Sequence, residues 1–187
     1  SDTAARAFLA LNYHHARHAS RTPKTLSFFD ANFLLDRLPD LPIVYRHGFF
    51  EFQPLIPKEE AYDCVRLLIE CTHAYGMPGH LSAIKRHRAE PDPYVMSYSL
   101  DGYSFAMDIP RRLGQEILQR EMFRELMRIV REHRGRLYLA KDVHMTPEDM
   151  RSMYPRWAEF ARIKKQWDPD TLFQSDMYRR LFTNERP

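Results

Sequence analysis

The sequence predicts an α+β fold: a ferredoxin-like βαββαβ unit with an antiparallel sheet and its helices on one face, extended by helical segments at both ends. Three observations predict it. Between Ile43 and Lys141, stretches rich in β-branched and aromatic residues alternate with two stretches whose apolar residues recur at helical spacing. Pro57, Gly76, Gly102 and Gly135 punctuate the changes of period. The 187 residues, 44% hydrophobic and 28% charged, suffice for one core and exclude general disorder.

Residues 1–42 read as a helical arm or connector. Ala7, Leu11 and His14/His15 line one side of a first helix, and Pro23 ends it by disfavouring helix at the residue before it. A short second helix opens at Ser27-Phe28-Phe29-Asp30 and runs to about Leu38, closed by Pro39 and Pro42.

Residues 43–141 form the expected core. Ile43 to Gln53 reads as a first strand. Pro57 then opens a helix with Glu59 and Glu60 at its positive end, which buries Val65, Leu68 and Ile69 and stops at Gly76. His80 to Arg86 is a strand. Tyr94–Ser99 and Tyr103–Ile109 read as a hairpin about Asp101-Gly102. A long helix from about Arg112 to His133 carries Ile117, Met122, Leu126, Ile129 and Val130, with Gly135 as its cap, and Arg136 to Lys141 is the last strand. In the tail, residues 142–187, Thr146-Pro147-Glu148-Asp149 starts a helix, and Trp157 to Trp167 forms another that ends at Asp168-Pro169.

Charge and motifs exclude several functions. A net charge of +3 with scattered basic residues, densest at Lys85-Arg86-His87-Arg88, lacks the basic stripe and interleaved aromatics of a nucleic-acid surface. No apolar run approaches the roughly 20 residues of a membrane span, and the N-terminus has no signal-peptide pattern. The absence of an initiator Met reads as processing or excision. Cys64 and Cys71 lie on one predicted helix, roughly 10 Å apart at about 1.5 Å per residue, beyond disulfide reach. A reducing, cytoplasmic compartment is the default expectation. His14 and His18 share a helix face, but His15 follows where a zinc hydrolase motif needs Glu, so no metal site is expected. The six glycines are isolated, which excludes a P-loop or dinucleotide fingerprint. What remains are Gln53, Lys85, Ser104 and Lys141 on strands. They either line a pocket on the uncovered sheet face or simply meet solvent.

Four motifs run in order through the C-terminal half: Gly135-Arg136-Leu137-Tyr138-Leu139-Ala140-Lys141-Asp142, Met153-Tyr154-Pro155, Trp167-Asp168-Pro169, and Phe173-Gln174-Ser175-Asp176 continuing to Arg179-Arg180-Leu181. This string resembles the C-terminal region of flavin-linked oxidoreductases of the vanillyl-alcohol-oxidase superfamily, in the branch of the decaprenylphosphoryl-ribose oxidases. A looser match continues through Phe52-Gln53-Pro54, Lys85 and Gly102 to Pro110. The resemblance implies a cap that lays its sheet over the flavin ring. The bulk of FAD would be bound by a domain outside this sequence, in the same protein or a partner subunit, on which the tail would pack. It implies oxidation of a sugar or polyol-like hydroxyl to a carbonyl, with hydride transfer to the flavin. It also implies that Gln53, Lys85, Ser104 and Ala106 line the substrate pocket and that Lys141 sits at the flavin as the catalytic cation. Ser104 and Ala106 stand where the sugar oxidase of that family has Asn and Cys. An apolar docking patch would allow a homodimer. The rival from another class is a stand-alone ferredoxin-like module that binds a ligand or partner. Such a module for RNA needs paired aromatics on its central strands.

Overall fold

The structure is a computed structural model that describes residues 2–19, 25–32, 45–91 and 94–183. The chain divides into two compact units, Ser1–Leu41 and Pro42–Pro187. The first contains helices α1 (Asp2–Ala19) and α2 (Phe28–Asn32). The Ser27 hydroxyl accepts from Asp30 N at 3.1 Å and so caps α2. The expected run of this helix to Leu38 lies outside the described residues, as does Ile43, but the strand expected from Ile43 is corrected: Tyr45–His47 form a turn and the strand begins at Phe49.

The second unit has the element order βαββαβ. Its first strand comes in two pieces, β1 (Phe49–Phe52) and β2 (Pro54–Pro57), followed by α3 (Ala61–Ala74), β3 (Leu81–His87), β4 (Gly102–Pro110), α4 (Glu116–Glu132) and β5 (Arg136–Leu137). One antiparallel register joins both pieces to β4, from Phe49 opposite Pro110, through Phe52 opposite Met107, to Leu55 opposite Ser104. β3 pairs with the far side of β4, and β5 with the far side of β2, again antiparallel. Across the sheet the order is β3, β4, β1/β2, β5, the ferredoxin-like arrangement that the element order predicts.

Alternation on the pleated strands separates two faces. Phe52, Ile56, Phe105, Met107 and Ile109 point to the core, where they pack with Cys64 and Leu68 of α3 and Met122, Phe123, Leu126 and Val130 of α4. The Gln119 side chain is buried there and donates to Pro110 O at 3.0 Å, satisfying the end of β4. The intervening residues, Glu51, Gln53 and Leu55 with Ser104, Ala106 and Asp108, share the other face.

Several expected boundaries are corrected. Pro54–Pro57 is strand, and the helix begins at Ala61 rather than Pro57. Between the two prolines, Leu55 and Ile56 carry the pairing with β4. Residues 94–100 form no strand, because β4 takes β3 as its partner and leaves that segment free to cross the sheet. Arg136–Lys141 is strand only to Leu137, and Leu139–Lys141 is a 3-10 turn. Ile117 is 74% exposed instead of buried. Five residues before Met122 puts it about 140° away from that residue around the helix. Ile69 likewise points outward beside buried Leu68.

Two glycines are needed for close approach. A Cβ on Gly102 would stand 1.9 Å from the Ile56 carbonyl oxygen, and one on Gly135 would stand 2.8 Å from a Val130 methyl. Arg134, at φ 55, makes the left-handed turn that ends α4, a role the sequence assigned to Gly135.

The tail adds α5 (Pro147–Met153), α6 (Trp157–Trp167) and α7 (Asp176–Phe182). Thr146 and Asp149 close a capping box at the start of α5. Tyr154 ties the tail to the sheet by donating from its buried hydroxyl to Leu137 O at 2.6 Å. Among the described residues no helix is long and apolar enough to cross a membrane.

Candidate functional site

The helix-free face of the sheet is a grid whose rows follow from register. One row is Leu81, Asp108 and Glu51; the next is Ala83, Ala106 and Gln53; the third is Lys85, Ser104 and Leu55. Rows two residues apart along a strand lie about 7 Å from one another. Of the residues that the sequence singled out, Gln53, Lys85, Ser104 and Ala106 therefore share one face although they come from three strands. Lys141 reaches the same face from the Leu139–Lys141 turn, where its ammonium pairs with the Glu51 carboxylate. Their surroundings differ. Gln53 and Ser104 are buried, Ser104 completely, whereas Lys85 is exposed on the edge strand and Lys141 is about one-third exposed.

Tyr98 closes one end of this face. Its hydroxyl donates to Gln53 O at 3.1 Å and faces Ser104, and its ring lies 4.9 Å from Tyr138 and 6.0 Å from His87. Arg136 holds the segment down by donating to Ser97 O at 2.8 Å. Burial holds the Tyr98 hydroxyl protonated far above the usual phenol range. His87 Nε2 lies 2.8 Å from Ser104 Oγ, a diagonal cross-strand pair. Burial, then the nearby Lys85 and Arg86 charges, lower the His87 pKa, so the neutral ring is favoured.

The opposite end is acidic. Asp108 stands directly across from Glu51, and its carboxyl is pushed up to about 6 by burial and by the Glu51 charge, against the opposing pull of Lys141. Between the two ends, Ala83 and Ala106 make a floor of methyl groups. This face thus carries a hydroxyl–imidazole pair at one end and a carboxylate–ammonium cluster at the other, the kinds of group that hydrogen-bond a small polyhydroxylated ligand.

The turn that carries Lys141 is anchored through its neighbour Asp142. The buried Asp142 carboxylate accepts from His144 N at 2.9 Å, Met145 N at 2.7 Å and Arg180 Nη2 at 2.7 Å. Two of the sequence motifs thus meet in space, with Arg180 of α7 fixing the turn after β5. A separate apolar groove of about 480 Å³ lies between α6, α7 and Met96, lined by Leu139, Phe160, Phe173, Tyr178 and Phe182, and touches none of the five singled-out residues.

The sequence reading missed Glu51, Asp108, His87 and Tyr98. Period-two alternation would have found the first three, which stand two residues before Gln53, after Ala106 and after Lys85. Tyr98 carries no such signal, because it reaches the face from an irregular segment.

Comparison with known proteins bears out the resemblance. The D-arabinono-1,4-lactone oxidase family pattern matches residues 44–181. A decaprenylphosphoryl-beta-D-ribose oxidase of Mycolicibacterium smegmatis is 33% identical over 136 residues, 72% of this chain and 28% of that protein. An L-gulono-1,4-lactone dehydrogenase of Mycobacterium tuberculosis is 25% identical over 133 residues, 71% of this chain and 30% of that protein. The chain thus spans less than a third of the length of either relative. With the match running from the first strand to the last helix, the chain belongs to the D-arabinono-1,4-lactone oxidase family.

Proposed function

We propose that this chain is the substrate-side cap of an FAD-linked oxidoreductase that oxidises a hydroxyl of a sugar-like substrate to a carbonyl. The single observation that carries the reading is the convergence of Gln53, Ser104, Ala106 and Lys141 from separate elements on one helix-free sheet face. Membership in a family of FAD-linked sugar and lactone oxidoreductases supports it. The residues present suit the ring of a flavin: a methyl-floored face beside a partly exposed ammonium. They do not suit its diphosphate, since the sequence has no glycine-rich loop. We therefore assign the rest of FAD to a flavin-binding domain elsewhere in the protein or in a partner subunit. Residues 1–42 would serve as the connector, and the exposed Trp167, Leu172 and Phe173 of the tail provide apolar surface for docking.

A bound flavin supplies a two-electron acceptor for the substrate hydride. The Lys141 ammonium would be the group of this chain that stabilises negative charge on the acceptor. Gln53 offers a donor and an acceptor to neighbouring hydroxyls, and Lys85 offers a cation to an anionic part of the substrate. His87, held in place by the buried Ser104 hydroxyl, offers its ring to a further hydroxyl, and Tyr98 covers that end. On the rival reading as an RNA-binding module the central strands should present aromatics on this face. They present Gln53, Leu55, Ser104 and Ala106 instead.

Two measurements test the proposal. The purified chain should bind FAD weakly or not at all, and a stoichiometric flavin spectrum would defeat that expectation. In the complete flavoprotein, Lys141→Ala should slow substrate-driven flavin reduction by 10-fold or more, on the order of the loss of one electrostatic contact, while flavin retention changes little. Loss of flavin with an unchanged reduction rate in the remaining holoenzyme refutes the assigned role.

A further inference from the structure

We propose that Asp108 is the proton acceptor of the open face and that Glu51 is the positioning residue that stands directly opposite it and brings the Lys141 ammonium to that place. The inference deepens the reading of this face as the substrate face and rests on it. Three observations meet at one place. Glu51 and Asp108 are directly opposed in the β1–β4 register, so their side chains are same-face neighbours about 5 Å apart at Cβ. Glu51 is ion-paired to Lys141, which brings a cation from outside the sheet to the two acids. Asp108 is half-buried next to the methyl floor of Ala106 and Ala83, where a bound ligand would lie.

Among the described residues, the groups that act on Asp108 come from four places. Glu51 comes from β1 and Lys141 from the 3-10 turn. Tyr45, from the turn before β1, is buried, and its hydroxyl is pushed up to about 12 by burial and by the Asp108 charge. His80, just before β3, stacks on Tyr45 at 5.9 Å and donates its backbone N–H to Asp108 O at 3.0 Å. Burial and the Glu51 charge favour the protonated acid, and Lys141 opposes them. Near neutral pH Asp108 is thus an ionised carboxylate whose affinity for a proton exceeds that of an ordinary surface acid, as a general base requires. In the step assigned to it, the substrate O–H bond breaks and an Asp108 O–H bond forms. The C–H hydrogen leaves with both bonding electrons for the flavin, which is reduced as the alcohol is oxidised. Asp108 then returns its proton to water.

The first test needs no flavin. Carboxyl-carbon NMR of the chain, with Asp108→Asn to assign the signal, should show Asp108 titrating near pH 6. In Glu51→Gln, which removes the like charge and frees Lys141, the midpoint should fall by about one pH unit or more. A midpoint in the ordinary carboxylate range near 4, or one unmoved by Glu51→Gln, overturns the inference. The second test uses the complete flavoprotein and follows flavin reduction against pH. The acid limb should track the Asp108 midpoint and shift with it in Glu51→Gln. Reduction without such a limb overturns the acceptor role and leaves the proposed function standing. A protein whose flavin no sugar or polyol reduces overturns the proposed function and the acceptor role together, whatever the titration shows.

Discussion

Replacing Arg180 by methionine keeps the aliphatic stem but removes the guanidinium from Asp142, and the structure sets the scale of the loss. The Asp142 carboxylate is fully buried, with 0% of its side chain exposed against 24% for Arg180. Arg180 Nη2 is one of three donors to it, and Nη1 also serves Met145 O. Removing one partner of a buried ion pair costs about 3–5 kcal/mol, because the other charge is stranded. Two backbone N–H groups remain on Asp142 and Arg180 is partly solvated, so the lower end, about 3 kcal/mol, is expected for Arg180→Met. For a chain of this size that corresponds to a Tm lowered by roughly 6–12 °C. Urea and thermal unfolding of Arg180→Met, Asp142→Asn and the double variant measure it. The double variant should recover about 2 kcal/mol relative to the sum of the singles. A loss below about 1 kcal/mol, or strictly additive singles, would refute the reasoning that α7 holds the Lys141 turn through a buried charge pair.

Three further outcomes follow from burial and close approach. His144 is stacked on Phe123 at 3.9 Å with a buried, unpartnered Nε2, and burial pulls its pKa down to about 4. The unfolded state therefore binds the extra proton first, so stability is intact above the unfolded value of 6.5 and is lost as pH falls toward 4. The stability difference between pH 7 and pH 4.5 should be roughly 2 kcal/mol larger in the wild type than in His144→Phe, and equal slopes would rule this out. Gly102→Ala drives a methyl group into the Ile56 carbonyl at 1.9 Å and should cost on the order of 2–3 kcal/mol, so a neutral result in denaturant melts would show that β2 and β4 are not so close. Burial raises Cys64 to about 12 and Cys71 to about 11, so both thiols should react with a disulfide reagent at pH 8 only on unfolding. Fast labelling of the native chain would contradict their placement in α3.

The periods along the chain were enough for the fold class. Two helical stripes among apolar, β-branched runs, separated by glycine and proline, leave few alternatives to βαββαβ, because each stripe must bury its apolar side against the sheet. The same local chemistry announced the capped start of α5 at Thr146-Pro147 and the end of α3 at Gly76. Local signals failed where a distant partner decided the conformation. Residues 94–100 have strand-like composition, yet they cross the open face because β3 already occupies the edge of β4 and Tyr98 is held by Gln53 and Tyr138. Lys141 looked like the end of a strand and stands instead on a turn pinned by Arg180, 39 residues away in sequence. For the site, the motifs supplied Gln53, Lys85, Ser104, Ala106 and Lys141 one by one. That Glu51 and Asp108 belong with them depends on the β1–β4 register, and that Ser104 meets His87 depends on the β3–β4 register. Composition and period are properties of neighbours in the chain, so the sequence by itself determined the elements and their order. Strand register, which one residue of slip would turn inside out, is settled only when the core packs, and the tertiary structure alone decided which charges share a face.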